Sequence, residues 1–190
     1  VALTAAADAP DRPRPGEHTE YRRAWFITVD DGTDDEGRPN TYQGVSESAL
    51  AVATRDGTVT VRDVRTGERR RTILVDPGSP FPLTGVWVTS DTLVALRSDS
   101  ERSQHTLYAY DLTTGATLWR RTSHTAGGDE DPLVMVNARG IVIVDRSPKD
   151  SGMRSIDLRS GAIKAHTVLP ERCEFEGAVT DRSMVILSDC

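Results

Sequence analysis

The sequence has few aromatic residues, almost no lysine and no long apolar run. Aromatic residues make up 5% and hydrophobic residues 37% of the 190 residues, a small supply for a globular core. No stretch of about 18 apolar residues is present, which excludes a transmembrane helix within this sequence. A basic excess is absent too. The 23 basic and 29 acidic residues give a net charge of −6, which argues against a nucleic-acid-binding surface.

Arginine accounts for 21 of the 23 basic residues, a bias that indicates a GC-rich genome and hence a bacterial source. Residues 1–10 begin with Val1 and are apolar and then small, as after a signal or anchor segment. An arbitrary boundary explains them equally well. We interpret residues 1–19, which contain three prolines between 10 and 15, as a Pro-rich leader or linker. Residues 20–190 are interpreted as one array of strands.

Beyond residue 20 the chain consists of short apolar runs separated by turn residues. The runs are about five residues long and rich in Val, Ile, Leu and Thr, which is typical of strands. No window of about 12 residues has helical spacing. The sequence therefore predicts an all-β protein.

A repeated motif, Asp-x-x-(Thr/Ser)-Gly, organises these strands. It begins at Asp63, Asp111 and Asp157, at spacings of 48 and 46 residues. We expect each carboxylate to accept hydrogen bonds from backbone N–H groups one or two residues further on, and each Gly to adopt a positive φ, so that the motif closes a hairpin. A period of about 40 to 50 residues with four strands per unit predicts the blades of a β-propeller.

The repeat predicts three full four-stranded antiparallel blades, at about 41–74, 83–122 and 133–168. Segments 174–179 and 183–187 are predicted as the first two strands of a fourth blade, and 21–29 as a lone strand before the first. The ring closes in one of three ways: with blades beyond Cys190, as a four-bladed ring that uses 21–29, or with a second copy. We favour a segment of a longer propeller.

The second repeat has a more specific pattern, Ala-x-Asp-x-x-Thr-Gly-x-x-x-Trp, from Ala109 through Asp111 to Trp119. This resembles the repeat of the PQQ-like β-propellers, the quinoprotein-dehydrogenase-repeat superfamily. The other two repeats are degenerate, and Arg71 and Ala165 replace the tryptophan. In that family the tryptophan packs between neighbouring blades, so the resemblance implies looser or different docking at these two positions.

The resemblance implies a fold more strongly than an activity. Relatives with degenerate repeats are mostly non-enzymatic: envelope scaffolds, assembly lipoproteins, and extracellular domains of membrane proteins and kinases. The PQQ-using enzymes have two adjacent cysteines over the cofactor and a carboxylate and amide set that holds Ca²⁺. Here Cys173 and Cys190 are 17 residues apart, so that pair is missing. We therefore expect no catalytic residue, no metal ligand, and neither PQQ nor Ca²⁺.

The expected function is a non-catalytic binding or scaffold module of a bacterial cell envelope, with a protein or glycan partner. We place it outside the cytoplasm, secreted or membrane-anchored through a segment upstream of Val1. Two alternatives stay open: an extracellular sensor domain of a membrane signalling protein such as a kinase, and a quinoprotein oxidoreductase.

The remaining polar clusters are interpreted as surface features. The acidic loops 30–37 and 127–131 lack the spacing of an EF-type Ca²⁺ loop. His105 and His124 are expected in surface loops, and the basic run 69–71 in a solvated outer strand.

Four aromatic residues, Trp87, Tyr108, Tyr110 and Trp119, are candidates for sugar stacking. We expect them instead to fill the gaps between blades, because a blade is covered on both faces by its neighbours. The same coverage explains continuous apolar runs such as 141–144.

A turn predicted at 180–183 sets the register of the last hairpin. With residues 181 and 182 as the loop, opposed residue numbers add up to 363, so that Gly177 faces Ile186 and Cys173 faces Cys190. The alternation of pair types makes the cysteines a non-hydrogen-bonded pair with Cα atoms about 4.5 Å apart, within disulfide range. We predict a Cys173–Cys190 disulfide in an oxidising, extracytoplasmic compartment. Two unpaired thiols in a reducing cytosol are the alternative.

Overall fold

The computed structural model describes residues 2–5, 25–28, 41–99, 104–124, 132–145, 152–169, 174–179 and 184–189. All of its regular structure in these ranges is β. The strands are β1 (Ala2–Ala5), β2 (Trp25–Thr28), β3 (Thr41–Val45), β4 (Ala49–Thr54), β5 (Thr58–Asp63), β6 (Arg69–Leu74), β7 (Leu83–Val88), β8 (Thr92–Asp99), β9 (Gln104–Asp111), β10 (Thr117–His124), β11 (Leu133–Asn137), β12 (Gly140–Asp145), β13 (Gly152–Ile156), β14 (Ile163–Val168), β15 (Glu174–Val179) and β16 (Met184–Asp189).

Three four-stranded antiparallel sheets follow the chain order: blade 1 (β3–β6), blade 2 (β7–β10) and blade 3 (β11–β14). The first strand of each blade contacts that of the next, so β3, β7, β11 and β15 are the inner strands. The predicted all-β propeller architecture of four-stranded blades is confirmed. Blade 2 is longer than expected, because its ladder continues to the pair Asp99–Gln104 and so includes polar residues at the strand ends.

The core lies between the blades and explains the continuous apolar runs. All eight residues of β8 are buried. Leu93 and Ala95 pack toward blade 1, whereas Val94 and Leu96 pack toward blade 3. Successive side chains of a strand point to opposite faces, so a strand covered on both faces has a continuous apolar run, here 93–96. The buried polar residues Arg97 and Ser98 that follow form hydrogen bonds.

The three Asp-x-x-(Thr/Ser)-Gly motifs form the turns between the third and fourth strands. Asp63 Oδ1 accepts hydrogen bonds from the N–H groups of Arg65, at 2.8 Å, and Thr66, at 3.0 Å. Asp111 and Asp157 bond in the same way. The bonds reach two and three residues on, rather than one or two. The three glycines have φ between 69° and 77°, as predicted.

The residues at the tryptophan position of the repeat link blade 1 to blade 2 and blade 2 to blade 3. The Trp119 indole Nε1 donates to the carbonyl O of Leu158 at 2.9 Å, in the motif turn of blade 3. Arg71 holds the equivalent position in blade 1 and donates to the carbonyl oxygens of Thr113 and Thr114 in the motif turn of blade 2. The docking at Arg71 is therefore different, with two hydrogen bonds to the neighbouring turn. Ala165, in blade 3, is exposed.

A buried arginine holds the connection between blades 1 and 2 at the opposite end of the strands. Arg97 is 2% exposed and donates to the carbonyl oxygens of Val75, Asp56 and Phe81. The guanidinium has five N–H donors in a planar fork, so one side chain can satisfy several carbonyl groups of an irregular segment.

Part of the expected leader is a strand. Ala2–Ala5 pairs with Trp25–Thr28, from Ala2↔Thr28 to Ala5↔Trp25. The sequence did not predict β1, because four small or apolar residues become a strand only through a partner about twenty residues away. In the described structure β1–β2 and β15–β16 are separate two-stranded sheets.

Candidate binding site

Two kinds of turn lie at the same end of the blades, which we call the turn face. The first and second strands of each blade are joined by a two-residue turn, at residues 47–48, 90–91 and 138–139. The Val64 N–H donates to the carbonyl O of Ser48 at 3.2 Å, and the Leu112 N–H to that of Asp91 at 2.9 Å. These bonds connect the inner turns to the motif turns.

Each inner turn is held by a polar side chain at the same position. The bonds are Ser46 Oγ with the Ala49 N–H (3.1 Å), Thr89 Oγ1 with the Thr92 N–H (3.1 Å) and Asn137 Oδ1 with the Arg139 N–H (2.9 Å). Ser, Thr and Asn stabilise such turns because their short side chains reach nearby backbone N–H groups. Three similar polar turns therefore converge near the axis.

A pocket of about 420 Å³ lies between these turns. Its lining residues are Val45, Ser46, Glu47, Ser48, Trp87, Val88, Thr89, Ser90, Val136, Asn137 and Ala138. The lining residues include four with a hydroxyl group, one asparagine and one tryptophan, and Glu47 is the charged residue among them. Val45 is 62% exposed at this site. A concave surface with apolar walls and a few polar groups is typical of a ligand site.

One hydroxyl group at the pocket has no partner within the described residues. Ser48 Oγ is buried and forms no hydrogen bond there. A buried hydroxyl without a partner costs about 1–3 kcal/mol, so such groups in native proteins generally bind a ligand or water. Ser48 therefore has a buried hydroxyl group without a partner beside the pocket.

The four aromatic candidates pack against the cores between the blades, and one of them also lines the pocket. Tyr108 and Tyr110 are buried and stacked, with ring centroids 6.5 Å apart, and Trp119 packs at the joint between blades 2 and 3. The Tyr108 hydroxyl donates to Asp76 at 2.6 Å, and burial is the main cause that raises the pKa of Tyr108. Trp87 alone among the four lines the pocket. Trp87 also packs against the same core cluster as Trp119, so the expectation of core packing is confirmed for all four.

The expectation for the histidines was wrong in two cases. His105 lies in β9, is 4% exposed, and its Nδ1 is 3.0 Å from Ser98 Oγ. Ser98 Oγ is in turn 2.9 Å from Thr84 Oγ1. This serine–histidine pair is buried and cross-links strands of blade 2. His124 is the last residue of β10 rather than part of a loop.

The arginine run is only partly solvated. Arg69 is exposed, Arg70 forms an ion pair with Asp63, and Arg71 binds the motif turn of blade 2. Within the described ranges, no group of three or more His, Cys, Asp or Glu side chains could hold a metal ion. The acidic loops 30–37 and 127–131, and Cys173 and Cys190, lie outside those ranges. Among the described residues, no helix has the length and apolarity needed to cross a membrane.

The meandering four-stranded sheets around shared inner strands define a β-propeller. BamB from Moraxella catarrhalis is similar over 90% of this chain and 51% of its own, at 17% identity and a TM-score of 0.59. The quinohemoprotein alcohol dehydrogenase from Comamonas testosteroni is similar over 88% of this chain and 35% of its own, at 14% identity and a TM-score of 0.53. The chain thus has the β-propeller fold of these two proteins. The chain spans about half the length of BamB. No family model and no curated protein matches the sequence.

Proposed function

We propose that this chain is a non-catalytic binding module of a bacterial cell envelope and that its pocket at the turn face binds a neutral, hydroxyl-rich glycan. The observation on which this rests is the set of pocket groups. The hydroxyl residues Ser46, Thr89 and Ser90 and the amide residue Asn137 line the pocket, and Trp87 supplies an apolar wall. Sugars present hydroxyl groups at their edges and C–H groups on their faces, and both kinds of surface find counterparts here.

The charge of the pocket supports a neutral ligand. No arginine or lysine is among the described residues that line it, and Glu47 is exposed at its edge. An anionic ligand such as a nucleotide or a phosphate would be repelled by that carboxylate, with no cation to offset the repulsion. The proposal includes a location outside the cytoplasm. The resemblance of the repeats to those of the PQQ-like β-propellers supports this location.

The proposal can be tested with two variants that place a charge on exposed apolar residues. Val45 (62% exposed) lies at the pocket, whereas Leu74 (58% exposed) ends β6 at the opposite end of the blade. We expect saturation-transfer NMR to show saturable binding of neutral envelope oligosaccharides to the wild type and to Leu74→Arg. Val45→Arg should lose that binding, because the long cationic side chain occupies the pocket.

Binding that Val45→Arg leaves unchanged would contradict the assignment of the pocket. Dye reduction with an alcohol, after addition of PQQ and Ca²⁺, would instead support the quinoprotein alternative. If a single envelope protein binds at Val45 and no oligosaccharide binds, the chain is a binding module whose partner is a protein. That result would contradict the glycan as ligand.

A further inference from the structure

The inner strands of the three full blades differ in side-chain size at one equivalent position. It lies directly before a valine that pairs with the second strand across four enclosed residues, in the pairs Val45↔Leu50, Val88↔Leu93 and Val136↔Ile141. Blade 1 has Gly44 at this position, blade 2 has Trp87 and blade 3 has Met135. The bulk that each blade places near the axis is therefore different.

The glycine of blade 1 lets two inner strands meet, whereas the tryptophan of blade 2 fills a gap. A Cβ at Gly44 would lie 2.8 Å from the carbonyl O of Val86 and 2.9 Å from Cα of Trp87, so the backbones of β3 and β7 are in direct contact. β7 makes an extensive contact with β3 and only a slight one with β11. Trp87 packs against the cluster that includes Val134 and Val136 of β11. The indole thus occupies space between blades 2 and 3 that is closed between blades 1 and 2.

A second glycine fixes where the indole lies. Gly85 is two residues before Trp87 and so on the same face of β7. A Cβ at Gly85 would lie 2.5 Å from Cη2 and 3.0 Å from Cζ3 of Trp87, so the six-membered ring takes the place of a side chain at position 85. Trp87 lines the pocket and Gly85 does not. The far end of the indole is therefore held against β7 at a residue outside the pocket wall.

A β-bulge directly precedes this glycine. The register of β7 with β8 shifts between Leu83 and Gly85, which leaves Thr84 as an extra residue. The described pairs of the corresponding ladders in blades 1 and 3 show no such shift. Thr84 Oγ1 is 2.9 Å from Ser98 Oγ, and this hydrogen bond holds the extra residue in place. Bulges change the direction of nearby side chains and are frequent beside functional sites.

We propose that Trp87 determines the size of the pocket and that Gly85 is its positioning residue. The inference rests on the proposed glycan site and names the residues that decide which ligand fits it. Because position 85 has no side chain, the indole lies back along β7, and the volume of about 420 Å³ that Trp87 lines stays open.

A side chain at position 85 would move the indole toward the pocket. β7 lies on one side of the indole, and the buried cluster between blades 2 and 3 is close-packed and has no room for it. The open space that Trp87 lines is the pocket. The atoms that a Cβ would meet are at the far end of the side chain, so a rotation of the indole relieves the contact without moving the backbone.

Fluorine NMR on protein labelled with 5-fluorotryptophan tests the proposal. The chain has three tryptophans, and Trp87→Phe identifies the Trp87 signal. Gly85→Ala should shift this signal more than those of Trp25 and Trp119 and should raise its solvent isotope shift. The same variant should bind neutral envelope oligosaccharides about tenfold more weakly. Gly78→Ala is the matched control and should change neither quantity, because a Cβ there meets no heavy atom within 4 Å.

Two results overturn the proposal: an unchanged Trp87 signal in Gly85→Ala, and a shifted signal with unchanged oligosaccharide binding. If Gly85→Ala does not fold, addition of Trp87→Leu should restore folding, because leucine lacks the ring atoms that a Cβ at 85 would meet. A double variant that also fails to fold overturns the role of Gly85. If the wild type binds no oligosaccharide, the proposed function fails by itself, and the Trp87 signal still decides whether Gly85 positions the indole.

Discussion

At the scale of single residues, the glycines of the motif turns combine two constraints. Gly161 has a φ of 69°, and a Cβ there would lie 2.7 Å from Cγ of Trp119. Gly78 also has a positive φ, 86°, but a Cβ there would meet no heavy atom within 4 Å. Alanine substitutions at the two positions therefore separate the free-energy cost of the left-handed backbone from the cost of packing a Cβ.

Gly78→Ala should lower the free energy of unfolding by about 1 kcal/mol, the usual cost of a left-handed conformation for a residue with a Cβ. Gly161→Ala should lower it by about 2–4 kcal/mol, because the Trp119 indole must also move. Urea unfolding of both variants measures the difference. Equal losses would show that the indole adjusts without cost.

Also at the scale of single residues, the motif aspartates make the free energy of unfolding depend on pH. The Thr66 N–H, followed by the Arg70 guanidinium and the Arg65 N–H, lowers the pKa of Asp63 from 3.8 to about 2. A pKa below the unfolded value means that the ionised group stabilises the fold above pH 3.8 and that this contribution disappears as the pH falls toward 2.

Asp63→Asn should thus be less stable than the wild type at neutral pH, and the difference should vanish near pH 2. Asparagine keeps an oxygen for the turn, so the variant tests the charge rather than the turn geometry. Urea unfolding between about pH 2 and pH 7 gives the difference at each pH. A constant difference over this range would exclude the ionised carboxylate as its source.

At the scale of elements, the fourth strands of blades 1 and 2 each hold the next blade through one side chain. Trp119 and Arg71 differ in chemistry but both donate hydrogen bonds to carbonyl groups of the neighbouring motif turn. The motif comparison detected that Arg71 departs from the family pattern. It could not show that the guanidinium replaces the indole, because the acceptors are more than 40 residues away.

Trp119→Phe should lower the free energy of unfolding by about 1–2 kcal/mol more than Trp87→Phe. Both changes remove the same atoms from a half-buried indole. Only Trp119 donates a hydrogen bond, to Leu158 O, among the bonds of the described residues. Thermal or urea unfolding of the pair measures the difference. An equal loss would show that the joint depends on ring packing alone.

At the scale of the whole molecule, the register of the last hairpin is the most specific confirmed prediction. All six described pairs of β15 and β16, from Glu174↔Asp189 to Val179↔Met184, have residue numbers that add up to 363. A two-residue turn determines the register of everything that follows it, so local turn residues were sufficient. Cys173 and Cys190 lie outside the described residues, one position beyond Glu174 and Asp189.

The Cys173–Cys190 disulfide therefore stays a prediction, now with its register supported up to the adjacent pair. Thiol counting on unfolded, unreduced protein should find no free thiol. Two free thiols per chain would contradict the disulfide and with it the argument for an oxidising compartment. Cys173→Ser is the matched control, because it should leave one thiol, at Cys190.

The sequence analysis did not predict the pocket, although a repeated residue pattern marks the turns that line it. In each blade a valine is followed by a polar turn residue, as in Val45–Ser46, Val88–Thr89 and Val136–Asn137. This second repeat locates the inner turns. It does not show that the turns converge, because convergence depends on how the blades pack around an axis.

The sequence by itself determined the strands of the three blades, the motif turns and the last register, since each depends on residues a few positions apart. Only the tertiary structure decided that His105 and Arg97 are buried, that Arg71 serves as a joint between blades, and that Ala2–Ala5 is a strand. Those outcomes depend on contacts between distant segments. Local propensity and turn chemistry act within a few residues, whereas burial and pairing are set by whichever element packs alongside.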